Sequence, residues 1–390
     1  MKKLIIALFF TLTLVSCGST EAKDPFFEDY YFFPGIDRGA RTIMKLNVTT
    51  GSITTLCDDP LCEHDKNCKF TGVNSSSILT ETGNKLYFSR LNESDFTREI
   101  FSYSPESQSV ELVFKTEPSG TVNGEFRGRS NFSIRNGYIW NRCESPDGTK
   151  KLERISLKDG KKVELPESAK IPMRGMYEGK YIYPILDDGE YLSRGFALGD
   201  LDGNFTKTYA TDKYIQVVES EQIENGTIIF DCPYEEDGKY NYERQTLWVC
   251  DLKTGEQKLI HDDFGDFHFV RVGNYIYYLN YVDDPVEVGF DRNHKKTKHN
   301  MTGGKIMRLD ITTGEETLFM TFDHIFSETP ILKHGKLIFG YWDTDYENYT
   351  VRDDGRGKDW YDYEVTRGWV IIDPETKQYL DVVNTADIYK

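Results

Sequence analysis

Hydrophobic residues in this chain fall into short runs separated by polar turns, and one arrangement of them recurs seven times. Two apolar residues, three positions apart, are followed by Asp, Asn or Ser and then by a short turn that usually carries Gly. The copies begin at Ile43, Ile100, Leu152, Phe196, Leu247, Ile306 and Trp369. Short strand-like segments repeating at a fixed spacing are typical of propellers and solenoids.

A second pattern lies upstream of these copies, where a Gly precedes a short apolar or aromatic run. Such runs, bounded by turn residues, predict strands that are buried on both faces. The sequence contains no long amphipathic helical pattern. The glycines that open the runs are Gly83, Gly137, Gly179, Gly226, Gly273 and Gly335.

Each unit therefore divides into four antiparallel strands: a short one, the aromatic run, the recurring signature, and one that follows a tight turn. Turns such as Lys253-Thr254-Gly255 suit short hairpins because Gly adopts positive φ without strain. We predict an all-β fold, a β-propeller of seven four-stranded blades. Six or eight blades are the alternatives, since the outer strands are weakly marked.

The first residues form a targeting segment, with a basic start at Lys2 and Lys3 and an apolar stretch behind it. We predict a lipoprotein signal peptide at 1–16, a polar tether at 17–24 and the propeller at 25–386. The run Leu14-Val15-Ser16-Cys17 resembles the bacterial lipobox, which implies that Cys17 is lipidated. The alternative is an ordinary secretory signal with an incidental cysteine.

The net charge of −17 argues against binding partners that are themselves strongly negative. Nucleic acid phosphates require Lys and Arg, so nucleic acid is not expected as a partner. Direct adsorption to anionic lipid is equally disfavoured. We therefore expect contact with a membrane through the lipid anchor only, at the outer membrane or cell surface.

The link after the first blade holds four potential metal ligands within twelve residues, namely Cys57, Cys62, His64 and Cys68. Three thiolates and an imidazole make a complete tetrahedral set for a structural zinc ion. An exported protein also meets oxidising conditions, which favour a disulfide with one thiol left over. The sequence leaves three readings open: a metal, a disulfide, or neither.

The segment from Leu56 to His64, together with the lipobox and the repeat pattern, resembles lipoproteins of anaerobic gut bacteria. Those proteins look like TolB-like or DUF5050-like β-propellers with a Cys-x4-Cys-x-His-x3-Cys motif. The resemblance covers most of the chain and implies a propeller fold. It implies no particular activity.

Blades six and seven carry long insertions between their second and third strands, at 283–304 and 343–364. Loops beyond about 12 residues in a compact domain are usually functional or disordered. Exposed aromatic rings beside carboxylates suit the recognition of glycans or peptides. The candidate binding residues are Trp342, Trp360, Tyr361 and Tyr363, and the alternative is that their rings pack the insertion onto the propeller.

The sequence has no Gly-x-Ser-x-Gly elbow and no His-Glu-x-x-His helix, and no pair of carboxylates stands out for glycoside cleavage. We therefore favour a binding or scaffold module of the cell envelope, with a glycan, peptide or envelope protein as partner. The alternative is a propeller-fold lyase or glycoside hydrolase that acts on an extracellular polymer.

Overall fold

The computed structural model describes most of the chain from Pro25 to Asn384. The described ranges are 25–37, 39–65, 67–73, 79–92, 97–118, 120–122, 125–166, 169–173, 175–186, 193–215, 223–236, 239–264, 269–281, 286–290, 296–299, 302–324, 326, 330–353 and 359–384. No helix in these ranges is long and apolar enough to cross a membrane. Cys17 and the predicted signal and tether lie outside them.

The described residues form one short helix, α1 (Pro25–Asp29), seven antiparallel blade sheets that follow one another along the chain, and one separate two-stranded sheet. Blade 1 contains β1 (Tyr30–Asp37), β2 (Ala40–Asn47) and β3 (Ile53–Thr55). Blade 2 contains β4 (Leu79–Thr82), β5 (Lys85–Asn92), β6 (Thr97–Ser104) and β7 (Ser109–Lys115). Blade 3 contains β8 (Gly120–Val122), β9 (Glu125–Arg135), β10 (Tyr138–Glu144), β11 (Lys150–Ser156) and β12 (Lys162–Leu165). Blade 4 contains β13 (Met176–Tyr177), β14 (Lys180–Leu186), β15 (Ser193–Gly199) and β16 (Phe205–Ile215).

The remaining blades follow the same order. Blade 5 contains β17 (Ile223–Glu224), β18 (Thr227–Glu236), β19 (Lys239–Asp251) and β20 (Gln257–Phe264). Blade 6 contains β21 (Phe269–Val272), β22 (Tyr275–Tyr281), β25 (Thr302–Asp310) and β26 (Glu316–Thr321), while β23 (Val286–Phe290) and β24 (Lys296–His299) form a separate hairpin. Blade 7 contains β27 (Ile331–Lys333), β28 (Lys336–Asp353), β29 (Asp359–Ile372) and β30 (Tyr379–Val383).

This architecture confirms the seven-bladed β-propeller. Within the described residues blade 1 has three strands, with α1 directly before β1, and blade 3 has an extra short strand. Each blade is built from strands that are consecutive in the sequence, except blade 6, where β23 and β24 lie between β22 and β25 along the chain.

The recurring Asp or Asn of the sequence signature forms the turn between the third and fourth strands. In blade 5 the Asp251 carboxylate accepts hydrogen bonds from the backbone N–H groups of Lys253 and Thr254, at 2.8 and 2.7 Å. Gly255 then adopts a φ of +84°, a conformation that favours glycine. Asn47, Asp310 and Asp373 repeat this arrangement, so turn chemistry explains the repeat.

The hydrophobic core lies between neighbouring blades. One cluster joins blade 7 to blade 1 and thereby closes the ring, with the rings of Phe33 and Trp369 4.5 Å apart. Five further clusters occupy the seams between blades 1 and 2, 2 and 3, 4 and 5, 5 and 6, and 6 and 7.

The insertions of blades 6 and 7 differ from the predicted loops, because their described parts are β-hairpins. In blade 7 the strands β28 and β29 remain paired from Leu337 and Ile372 out to Asp353 and Asp359, with one register shift. In blade 6 the insertion contains β23 paired with β24. Alternating polar and β-branched or aromatic residues along β28 favour such pairing over an irregular loop.

Candidate metal centre

The four clustered Cys and His residues lie on a segment that interrupts the outer edge of blade 1. Leu56 N–H still donates to the Ile43 carbonyl, 2.8 Å away, as a continuation of β3 along β2. Pairing with β2 then resumes at Thr71, which bridges Thr42. The chain thus leaves the sheet edge after Leu56, opposite Ile43, and returns to it at Thr71, opposite Thr42. The excursion spans 57–70, and we call this segment the Cys-rich excursion.

Tight turns fold the excursion back on itself. Cys62 N–H donates to the Asp59 carbonyl at 3.1 Å, and Cys68 N–H donates to the Asp65 carbonyl at 3.0 Å. The Asp59 carboxylate also accepts from Leu61 N–H at 2.9 Å. These turns bring the second and third cysteines back towards Cys57.

The structure brings Cys57, Cys62, His64 and Cys68 together, with one ligand atom of each within 4.8 Å of all the others. Around a tetrahedral zinc ion with Zn–S bonds of about 2.3 Å, neighbouring sulfurs are about 3.8 Å apart. The observed cluster needs only small adjustments to reach that geometry. These four residues could therefore hold a metal ion.

His64 provides the strongest sign of a metal site. It is 3% exposed, and its Nδ1 lies 2.6 Å from Oδ2 of Asp37 at the end of β1. Its other ring nitrogen, Nε2, is buried and has no hydrogen-bond partner. A metal-ligating histidine usually pairs its second nitrogen with a carboxylate in this way, which fixes the tautomer and the ring orientation. A metal ion would satisfy the orphaned Nε2.

None of the six cysteines that the structure describes is joined in a disulfide. Burial, together with the neighbouring thiols of Cys62 and Cys57, raises the pKa of Cys68 to about 12. Burial likewise raises the pKa of Cys57. Without a metal these groups are thus protonated thiols, and binding a cation would displace their protons.

The excursion is also tied to the blade beneath it. Lys45, which is 6% exposed, donates from Nζ to Asp58 Oδ1 at 2.6 Å. The same ammonium group lies 5.7 Å from the ring centre of Phe26 and 5.4 Å from that of Tyr30. This contact connects the start of the excursion to β2 and α1.

A cavity of about 460 Å³ opens beside the cluster, between the excursion and blade 2. Cys57, Cys62 and Cys68 all border it, and Tyr103 of β6 contributes to the opposite wall. Cys57 and Cys62 are partly exposed, whereas Cys68 is buried. Small molecules therefore have a path to the sulfur atoms.

A second cavity, of about 500 Å³, is lined by the inner strands β4 and β27 and by the end of β9. Its charged lining residues include Glu81, Arg135 and Lys333. Glu81 and Lys333 form an ion pair with each other across the cavity.

The aromatic residues that the sequence predicts as a binding site do not lie at the metal centre but on the β28–β29 hairpin of blade 7. Trp342 is 40% exposed, and the guanidinium of Arg367, its cross-strand neighbour, lies 3.9 Å from the ring centre. Trp360, Tyr361 and Tyr363 are paired through their backbones with β28, and their side chains fall outside the described part of the structure.

The sequence analysis missed a cluster around His324, in the link between blades 6 and 7. Its Nδ1 lies 2.7 Å from Asp343 and its Nε2 lies 2.9 Å from Asp381, while the Tyr341 ring stacks on it at 3.8 Å. A neutral imidazole has one N–H, so donation to both carboxylates requires the imidazolium. Burial lowers the pKa of His324, but the hydrogen bonds to Asp381 and Asp343 outweigh it and the pKa is raised. No sequence motif marks this cluster, because its members come from three separate elements.

A buried carboxyl in blade 5 was also missed. Asp231 is 2% exposed, and neither carboxyl oxygen has a hydrogen-bond partner. Burial raises the pKa of Asp231 to about 7. The only sequence signal is an acidic residue directly after the apolar run Ile228-Ile229-Phe230.

No family model matches the sequence, and no curated protein matches it either. Among solved structures, the chain is similar to the β-propeller domain of the trilobed protease from Pyrococcus furiosus. The TM-score is 0.50 at 12% identity, covering 92% of this chain and 95% of that one. It is also similar to an oligogalacturonate lyase from Vibrio parahaemolyticus, with a TM-score of 0.50 at 10% identity, covering 90% and 88%. TolB from Acinetobacter baumannii matches with a TM-score of 0.34 at 11% identity, covering 93% and 65%. At these identities the two matches with a TM-score of 0.50 show the propeller fold alone, while the DUF5050-like resemblance stays a prediction.

Proposed function

We propose that this protein is a lipid-anchored β-propeller of the bacterial cell envelope that binds a glycan, peptide or protein partner through the blade 7 hairpin. The observation that carries the proposal is Trp342, an exposed indole held under the guanidinium of Arg367 at the base of that hairpin. Trp and Arg are the residue types that most often dominate binding energy at protein interfaces.

The hairpin also gives the site a rigid support. Pairing between β28 and β29 on both sides of one register shift, which lies between Asp345 and Tyr349, holds the backbone of the aromatic residues. A paired scaffold loses less conformational entropy on binding than a flexible loop of the same length. Trp360, Tyr361 and Tyr363 lie further out on the same hairpin and extend the proposed surface.

Binding of the full-length protein to glycan and peptide arrays tests this proposal, with Trp342→Ala and Trp360→Ala as variants. Tyr275→Ala is the matched control, because Tyr275 is 37% exposed under the guanidinium of Arg308 but lies at the start of β22. We expect the hairpin variants to lose at least about tenfold in affinity, or 1.4 kcal/mol. A ligand bound equally by wild type and both hairpin variants would place the site elsewhere.

The anchor is proposed from the lipobox resemblance at Cys17. Two or three acyl chains hold a protein on a membrane stably, whereas one chain does not. Cys17→Ser should shift the protein from the membrane to the soluble fraction, and Cys143→Ser should not. A Cys17→Ser protein that stays membrane-bound with unchanged mass would rule out the anchor.

We also propose that the metal of the Cys-rich excursion is a structural zinc ion. Four protein ligands leave no open position for water or substrate, as in structural rather than catalytic zinc sites. Protein purified without oxygen should carry one zinc ion and keep all three cluster thiols. Loss of two thiols without metal would instead select a disulfide.

A further inference from the structure

Two of the four proposed zinc ligands, Cys57 and Cys62, are partly exposed at a cavity. Cys57 and Cys62 are partly exposed, whereas His64 and Cys68 are buried, and all three cysteines border the cavity of about 460 Å³. Reaction of a cysteine with a disulfide depends on the access of the reagent to its sulfur. Cys57 and Cys62, the two partly exposed ligands, therefore meet this requirement of access.

The same two residues are placed to react with each other. Their sulfurs belong to a cluster whose ligand atoms lie within 4.8 Å of one another, and the turn at Asp59 already folds Cys62 back towards Cys57. A disulfide brings two sulfurs to about 2.0 Å. The metal and the disulfide thus compete for the same pair of side chains.

We propose that Cys57 and Cys62 form a thiol-exchange site at which a small organic disulfide enters the cavity, oxidises the pair and releases the metal. This inference rests on the zinc centre proposed above. It makes the metal-bound and disulfide-bonded forms two states of one site.

The oxidation of the cysteine pair consists of two successive thiol–disulfide exchanges. The Cys57 thiolate attacks one sulfur of the small disulfide, which forms a mixed disulfide and releases one small thiolate. The Cys62 thiolate then attacks the sulfur of Cys57, which forms the Cys57–Cys62 bond and releases the second small thiolate. Two electrons pass from the cysteine pair to the reagent, and water protonates the released thiolates according to their pKa values.

Release of the metal follows from the ligand count. After the exchange only His64 and Cys68 remain as ligands, and two donors do not hold zinc against water as four do. The excursion keeps a covalent link between Cys57 and Cys62, while His64 Nε2 loses its only expected partner. Adding a small thiol and zinc should reverse both steps.

Zinc-loaded full-length protein, purified without oxygen and treated with oxidised glutathione, tests the inference. A chromogenic chelator follows zinc, thiol counting follows oxidation, and peptide mass spectrometry locates the bond. We expect one zinc ion released for every two thiols lost, with the bond between Cys57 and Cys62. The matched control is Cys143→Ser, since Cys143 lies in β10 outside the cluster and should leave the release unchanged.

The possible failures are distinguishable. Protein that carries no zinc before treatment overturns both the zinc centre and this inference. Zinc that stays bound while the cluster thiols remain reduced overturns the exchange alone. A stable mixed disulfide with glutathione, or a bond that uses Cys68, also overturns the exchange between Cys57 and Cys62 and leaves the zinc centre standing.

Discussion

Lys333 of β27 and Glu81 of β4 form an ion pair that joins blade 7 to blade 2. The two residues are 252 positions apart, and blade 1 lies between their blades in the ring. Their side chains are 14% and 22% exposed, so the contact is partly shielded from water. The pair thus supplements the apolar blade 7–blade 1 seam in closing the ring.

The first prediction concerns this contact. Glu81→Gln should lower the free energy of unfolding by about 1–3 kcal/mol, because a partly buried ammonium loses its charged partner. Urea denaturation measures the change. The control is Glu111→Gln, whose contact with Lys85 is 3.9 Å long and exposed, and which should be near neutral. Equal stabilities of the two variants would show that the Lys333–Glu81 pair does not help to close the ring.

The second prediction concerns Asp37, whose carboxylate holds the His64 ring behind the proposed zinc site. Asp37→Asn should weaken zinc binding roughly 10- to 100-fold, as loss of a carboxylate behind a ligating histidine usually does. Competition with a chelator of known affinity measures it. Asp58→Asn is the control, because it removes the same charge near the cluster but contacts Lys45 rather than His64. Similar losses in both variants would indicate a general charge effect.

The third prediction concerns His324, whose pKa is raised in the folded protein by Asp381 and Asp343 against the effect of burial. A raised folded pKa gives stability that is fully present below the unfolded value of about 6.5 and is lost as pH rises through the folded value. The free energy of unfolding of wild type should therefore exceed that of His324→Gln by the largest amount near pH 5.5, and by less at pH 9. Urea midpoints at both pH values test this, and a constant difference would contradict it.

The fourth prediction concerns Asp231, whose pKa burial raises to about 7. The folded state then holds a proton that the unfolded chain releases near pH 4, so wild-type stability falls between about pH 4 and 7. Asp231→Asn should be near neutral at pH 4 and stabilising above pH 7, by up to about 4 kcal/mol. Thermal unfolding across this range measures the gain.

Asp159, a carboxyl group whose pKa is lowered rather than raised, provides the control for Asp231. Hydrogen bonds from Ser156 and Lys161 lower the pKa of Asp159, so its stabilising effect is present at neutral pH and is lost in acid. Asp159→Asn should therefore not gain stability as pH rises. If both variants respond to pH in the same direction, burial of Asp231 is not the cause.

The sequence alone was sufficient for the blades and for the candidate metal ligands. A turn such as that at Asp251 and Gly255 is made by residues within four positions of one another, so its chemistry is readable along the chain. Cys57 and Cys68 are likewise close enough in sequence for contact to be expected. Local interactions of this kind need no knowledge of the ring.

Only the tertiary structure decided the rest. His324, Asp343 and Asp381 come from a link, an inner hairpin strand and an outer strand, and Lys333 meets Glu81 only because the ring closes. The orphaned Nε2 of His64 and the buried carboxyl of Asp231 are properties of burial, which depends on what neighbouring blades cover. Residues distant in sequence meet only after the blades pack. Hydrophobic pattern therefore determined the blades, and packing between blades determined the charged contacts, the cavities and the accessibility of the thiols.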